Sequence, residues 1–199
     1  MKELLAQIQT WTAKKKDVAL ARVIQTWGSS PRPVGSAMFI SGDMEMAGSV
    51  SGGCVEGAVV KEAKAILGTG KGKPVQYGVS DEDAWAVGLS CGGKIQVFVQ
   101  PWVSGNGSTQ EIAAKLHQLL LENKSCVLVT TLTENNQNTL VMPDGTSVGA
   151  TLPQKKKKKS LEAFEHRKHE TITVGEVPYF IQVFPRRSQM IIIGAAHIT

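Results

Sequence analysis

Cys54 lies in Ser51-Gly52-Gly53-Cys54-Val55-Glu56-Gly57, and Cys91 in Gly88-Leu89-Ser90-Cys91-Gly92-Gly93. Packing alone rarely sets a thiol among so many glycines, whose missing Cβ lets the backbone come close to a ligand and aim its N–H groups at it. The run from Cys54 to Leu67 has helical spacing, with Val55, Val59, Ala63 and Ile66 on one face. The sulfur of Cys54 is therefore expected at a helix N-terminus, where the dipole favours anions and lowers a thiol pKa. The pattern predicts a reactive or metal-binding thiolate beside an anion pocket. The plainer alternative is a pair of tight turns around small buried thiols. The third cysteine, Cys126, sits inside an apolar strand and is expected in the core.

A third segment without regular structure, Gly28-Ser29-Ser30-Pro31-Arg32-Pro33, follows a β-branched and apolar run from Val18 to Thr26. The elements that must position these motifs begin with an amphipathic helix from Lys2 to Lys14. Strands are expected from Ala37 to Ile40 and from Met46 to Val50, around a turn at Ser41-Gly42-Asp43. Val75 to Val79 and Lys94 to Gln100 read as two more strands. Glu111 to Leu121 reads as a helix, with Ile112, Leu116, Leu119 and Leu120 at helical spacing.

The second half repeats this plan. Ile95-Gln96-Val97-Phe98 aligns with Ile181-Gln182-Val183-Phe184. Before the second copy come a strand from Cys126 to Leu132, a hairpin from Thr139 to Ala150 around Pro143-Asp144-Gly145, and a charged helical segment from Lys155 to His166. The expected class is α/β, a single mixed sheet layered with helices and built from a degenerate internal duplication. The Gly-Ser-Ser-Pro-Arg loop, the Gly-Gly-Cys-Val-Glu segment and the Cys-Gly-Gly segment occur only in the first copy. They are expected to converge on one site.

A length of 199 residues suits one domain, or one domain and a fragment of another, and 42% hydrophobic with 20% charged residues is ordinary for a globular chain. The net charge of +5 equals the contribution of Lys155 to Lys159, a run expected to be a solvated helix end or a mobile loop. No aromatic platform accompanies it, so nucleic-acid binding is not expected. No apolar run reaches membrane-spanning length, and the start carries no signal-peptide core. Three cysteines without framework spacing suit a reducing cytoplasm.

Gly28 to Gly35, Ser49 to Glu56 and Cys91-Gly92-Gly93, in that order, resemble the xanthine dehydrogenase accessory factor (XdhC/CoxI) family, over residues 15 to 102 and more weakly onward. The resemblance implies a chaperone for molybdenum cofactor rather than an enzyme. Such a protein binds the cofactor as cargo, holds it while a cysteine desulfurase supplies a sulfido ligand, and delivers it to an apo-molybdenum hydroxylase of the xanthine dehydrogenase type. Backbone N–H groups at Gly52, Gly53 and the helix N-terminus suit a phosphate or oxo-anion, and Arg32 can add a charge-assisted fork. Cys54 and Cys91 offer soft thiolates for molybdenum or sulfur, beside Gly92 and Gly93. Glu56 reads as a dipole partner, a ligand or a proton carrier. Ser29 and Ser30, next to Gly28, read as donors or as turn residues.

The competing reading is a thiol enzyme in which Cys54 is the nucleophile and Cys91 the resolving partner. Residues 1–187 are expected to form the cofactor-binding domain. Residues 188–199, with Met190 to Ile193 as an apolar strand and Gly194-Ala195-Ala196-His197 as a turn, read as the start of a Rossmann-like domain. An orphaned strand there would favour a homo-oligomer.

Overall fold

The computed structural model describes residues 2–53, 55–78, 93–103 and 108–188. Helix α1 (Lys2–Ala13) leads into strands β1 (Val18–Trp27), β2 (Ala37–Ser41) and β3 (Met46–Gly48), helix α2 (Glu56–Thr69), and strands β4 (Lys73–Gly78) and β5 (Lys94–Val103). The same order returns as α3 (Ser108–Leu121), β6 (Cys126–Thr131), β7 (Asn138–Val141), β8 (Ser147–Gly149), α4 (Gln154–Glu165), β9 (Glu170–Val174) and β10 (Val177–Phe184). Among the described residues no helix is long and apolar enough to cross a membrane.

The α/β class holds, with two sheets in place of the single mixed one expected. Their strand orders are β3-β2-β1-β5-β4 and β8-β7-β6-β10-β9, and the pairings within them are antiparallel. The physical reason is that the long first strand of each copy has both edges taken by its own copy, β1 by β2 and β5, β6 by β7 and β10. Only outer strands are left as edges, so the copies meet face to face instead of edge to edge.

The identical strand orders establish the duplication, and the pairing register corrects how the copies align. Met38 pairs with Gly48 and with Ala21, which pairs with Val99. In the second copy Thr139 pairs with Gly149 and with Val129, which pairs with Ile181. Val99 therefore corresponds to Ile181, and Phe98-Val99-Gln100 to Phe180-Ile181-Gln182. The Ile-Gln-Val-Phe match suggested by sequence is out of register, because an alternating strand resembles itself at every even shift. Local backbone agrees with the pairing. Both leading helices end in a left-handed residue, Lys15 at φ 57° and Asn123 at φ 53°, and both hairpin turns contain another, Met44 at φ 66° and Gly145 at φ 82°.

Alternation along the strands builds the layers. Ala19, Ala21 and Val23 face α2, packing with Met38, Ile40, Val97 and Val99 against Val59, Ala63 and Ile66. Val127, Val129, Val141, Ile181 and Val183 likewise pack beneath α4 through Ala163. The opposite faces, carrying Leu20, Phe39 and Trp102 in one sheet and Leu128, Leu140 and Phe184 in the other, bury together with Leu5, Ile8 and Trp11 of α1 and Ile112, Leu116 and Leu119 of α3. Helices α1 and α3 touch where the amide of Gln9 meets Nδ1 of His117. The lysine run forms the first half of α4. There Lys156 lies 3.8 Å from the Tyr179 ring centroid and Lys159 pairs with Glu162 at 2.8 Å.

Between the sheets lies a polar seam. Arg22, fully buried, donates from Nη1 to Oε1 of Gln182 (3.2 Å) and from Nη2 to Oγ1 of Thr130 (2.6 Å), and its guanidinium stands 5.5 Å from the Phe180 ring centroid. Thr130 donates in turn to Oδ1 of Asn138 (2.7 Å), which also accepts from Nε2 of Gln100 (3.3 Å). Burial pulls the Arg22 pKa down to about 9, since the charge is separated from water and its hydrogen-bond acceptors here are neutral. The seam ends at the loop after β1, where Nε2 of Gln182 donates to the carbonyl of Gly35 at 2.8 Å.

Candidate functional site

Glu56 organises the first glycine-rich loop. It is the first residue of α2 and is 9% exposed. Its Oε1 accepts from the Ser49 hydroxyl (2.7 Å) and from the N–H groups of Val50 (3.2 Å), Ser51 (2.9 Å) and Gly52 (3.0 Å). Its Oε2 accepts from the Ser51 hydroxyl (2.7 Å) and the N–H of Gly53 (2.8 Å). Partial burial by itself would raise the carboxyl pKa. The donors from Ser49 and Ser51 outweigh that cost and hold the group well below the ordinary carboxylate range.

This arrangement corrects two expectations. The N–H groups of Gly52 and Gly53 point at Glu56 and are not free to cradle a phosphate, because the chain's own carboxylate already occupies that nest. Glu56 is accordingly a structural acceptor, with six donors around it and no lone pair to spare for a metal. The helix also starts later than the apolar spacing suggested, at Glu56 with Val55 as its N-cap. Cys54 itself lies outside the described residues, as do Cys91, Gly92 and the stretch from Met190 to His197.

The Gly28-to-Pro33 loop lies between the other two motifs. A Cβ on Gly93 would fall 1.9 Å from the carbonyl oxygen of Ser29 and 3.1 Å from that of Trp27, so only glycine permits this close crossing. On the other side, a Cβ on Gly52 would stand 3.8 Å from Cβ of Pro31. The structure thus places the residue after Cys91-Gly92 against Ser29, and the residue two before Cys54 beside Pro31. Within the loop, Gly28 has φ 68°, the Ser30 hydroxyl donates to the carbonyl of Arg32 (2.8 Å), and Ser29 and Arg32 are exposed. Ser30 therefore serves its own turn, while Arg32 stands in solvent where it can meet an anion.

The second copy pins the far end of this loop. Gly35 presses on His169, whose Cδ2 would be 2.5 Å from a Cβ there, and its carbonyl takes the Gln182 bond that ends the seam. Nδ1 of His169 accepts from the N–H of Val183 at 3.1 Å, and burial lowers the imidazole pKa, so the ring is neutral with its proton on Nε2. Sequence reasoning passed over Gln182 and His169, whose roles depend on contacts across the whole chain. It also passed over Trp27, the last residue of β1, which is 41% exposed directly before Gly28. No group of three or more potential metal-ligating side chains occurs among the described residues.

Residues 11–78, which include the Gly28 loop and the Ser49-to-Glu56 nest, match a model of the XdhC and CoxI family. The chain is 36% identical over 105 residues to the molybdenum cofactor insertion chaperone PaoD of Escherichia coli (strain K12), a match covering 52% of this chain and 31% of that protein. It is 30% identical over 88 residues to a probable xanthine dehydrogenase component of Bacillus subtilis (strain 168), covering 43% and 27%. These alignments span about a third or less of the relatives' lengths. A crystal structure described as a xanthine dehydrogenase from Bacillus halodurans shares the fold, with a TM-score of 0.68 at 20% identity over 92% of this chain and 53% of that one.

Proposed function

We propose that this chain binds molybdenum cofactor at the three first-copy segments and hands it to an apo-molybdenum hydroxylase of the xanthine dehydrogenase type. The supporting observation is the crossing of Gly93 over Ser29 beside the Pro31–Gly52 contact, which gathers three motifs of the first copy at one end of one sheet. The chain is also 36% identical over 105 residues to a named cofactor insertion chaperone. In this reading Arg32 holds the cofactor's phosphate, replacing the Gly52 and Gly53 N–H groups that Glu56 has taken. Cys54 and Cys91 supply thiolates to the molybdenum or to its sulfur, while a cysteine desulfurase provides the sulfido ligand. The protein acts as carrier, not catalyst.

Cofactor retention tests this. Arg32→Ala is expected to weaken binding of phosphate-bearing cofactor by about 1.5–3 kcal/mol, the scale of a hydrogen bond to a charged group. Replacing both Cys54 and Cys91 with Ala is expected to abolish molybdenum retention in a folded protein. Unchanged dissociation constants and unchanged metal content in these variants would overturn the assignment.

A further inference from the structure

The exposure of Trp27 has a specific structural origin. Along β1 the residues Ala19, Ala21 and Val23 all face α2, and strict alternation would send Trp27 the same way. The β1–β5 register shifts between Val23, opposite Val97, and Gln25, opposite Gln96, leaving Ile24 as an extra residue. Beyond this bulge Thr26 faces Ile95, which packs under α2, so Trp27, opposite Lys94, points to the other face. A bulge beside a ligand site commonly re-aims one side chain in this way. Here it takes a large indole out of the α2 core and leaves it 41% exposed between a strand end and the Gly28 loop.

In the second copy β6 ends at Thr131, one residue before Leu132, the counterpart of Ile24. Ile24 and Leu132 pack together in one cluster with Phe98 and Phe180, a cluster that does not include Trp27. Trp27 also lies where the candidate site is tightest, its carbonyl 3.1 Å from a Cβ on Gly93. An exposed indole there offers a flat π-face to a planar heterocycle and is sequence-adjacent to a loop whose Arg32 can take an anionic end.

We propose that Trp27 is the stacking platform for the planar pterin ring of the bound cofactor, an assignment that rests on the cofactor reading above. Two probes are titrated into the full chain with the heat of binding as the readout, which does not depend on the Trp27 indole: molybdenum cofactor, and 6-hydroxymethylpterin, which lacks phosphate and metal. The wild type is expected to bind both. Trp27→Ala is expected to weaken both by about 5- to 100-fold, the range for one aromatic–heterocycle stack. Trp27→Phe should retain most of the affinity and Trp27→Leu should not, which separates stacking from general apolar contact. Circular dichroism confirms that each variant is folded. Cofactor binding unchanged in Trp27→Ala, or equal in the Phe and Leu variants, would overturn the stacking role and leave the cofactor reading intact. A wild type that takes up no cofactor would overturn both.

Discussion

The Glu56 nest makes a quantitative demand on the fold. Four backbone N–H groups and two hydroxyls converge on one carboxylate, yet they do not count equally. Gly52 and Gly53 are exposed, so water can replace Glu56 at their N–H groups, whereas the bonds from Val50 and Ser51 are buried. Two buried donors left unmet, at about 1–3 kcal/mol each, predict a loss of about 2–6 kcal/mol for Glu56→Ala. Glu56→Gln keeps Oε1 and its four donors but turns an NH2 toward the Gly53 N–H, and should lose about 1.5–3 kcal/mol with the charge. For a chain of 199 residues each kcal/mol moves Tm by roughly 2–4 °C. Urea denaturation at constant m-value is the assay. The folded-state pKa is depressed, so the carboxylate's contribution is complete above the ordinary glutamate value of about 4.3 and fades as pH falls below it. The wild-type advantage over Glu56→Gln should shrink below that pH. If both variants unfolded within about 0.5 kcal/mol of the wild type at pH 7, the nest would not be holding the loop.

Gly93→Ala places a methyl group 1.9 Å from the Ser29 carbonyl, so it should displace the Gly28 loop, lower Tm and weaken cofactor retention together, while Gly57→Ala in α2, with no atom within 4 Å of the new Cβ, should be neutral or stabilising by up to about 1 kcal/mol. Equal Tm values for the two would refute the crossing. The Cys126 thiol is buried, and that burial pushes its pKa up to about 12, so it should resist a thiol-specific reagent until the chain unfolds. Labelling of Cys126 in the native protein at a rate comparable with Cys54 would contradict its place in the core.

Much of the fold was legible because the strands and helices carry strong local patterns. The expected strand from Val18 to Thr26 is β1, and the hairpin around Pro143-Asp144-Gly145 is β7 and β8, each within a residue or two. The number of sheets was hidden, since nothing in the local sequence of β1 says that both its edges are already taken. Alternation also disguised the register of the duplication. In the candidate site, glycine-rich composition pointed to segments that lie side by side, Gly93 against Ser29 and Gly52 beside Pro31, and to the wrong acceptor for the Gly52 and Gly53 N–H groups. A carboxylate at the first position of a helix, with Ser49 and Ser51 just upstream, resembles a capping box folded back on its own loop, and that signal could have placed Glu56. The bulge at Ile24 left no comparable mark, and with it went the orientation of Trp27.

The two copies have divided their labour in a way the duplication alone does not require. Position 22 in the first copy is arginine and its counterpart in the second is Thr130, and the two side chains bond directly to each other across the sheets. Gln182, equivalent to Gln100, accepts from that same arginine and donates to the Gly35 carbonyl, while His169 closes the other side of Gly35. The second copy carries none of the three ligand-type motifs, yet it fixes the loop on which they meet. Gly35 is anchored from the second sheet and Gly93 crosses from β5 of the first, so the loop between them is held at both ends by rigid elements. That gives exposed Ser29 and Arg32 a defined place to stand, and preorganisation of this kind lowers the ordering cost of binding. The residues proposed to meet the ligand belong to the first half of the sequence, and the geometry that holds their loop belongs to both.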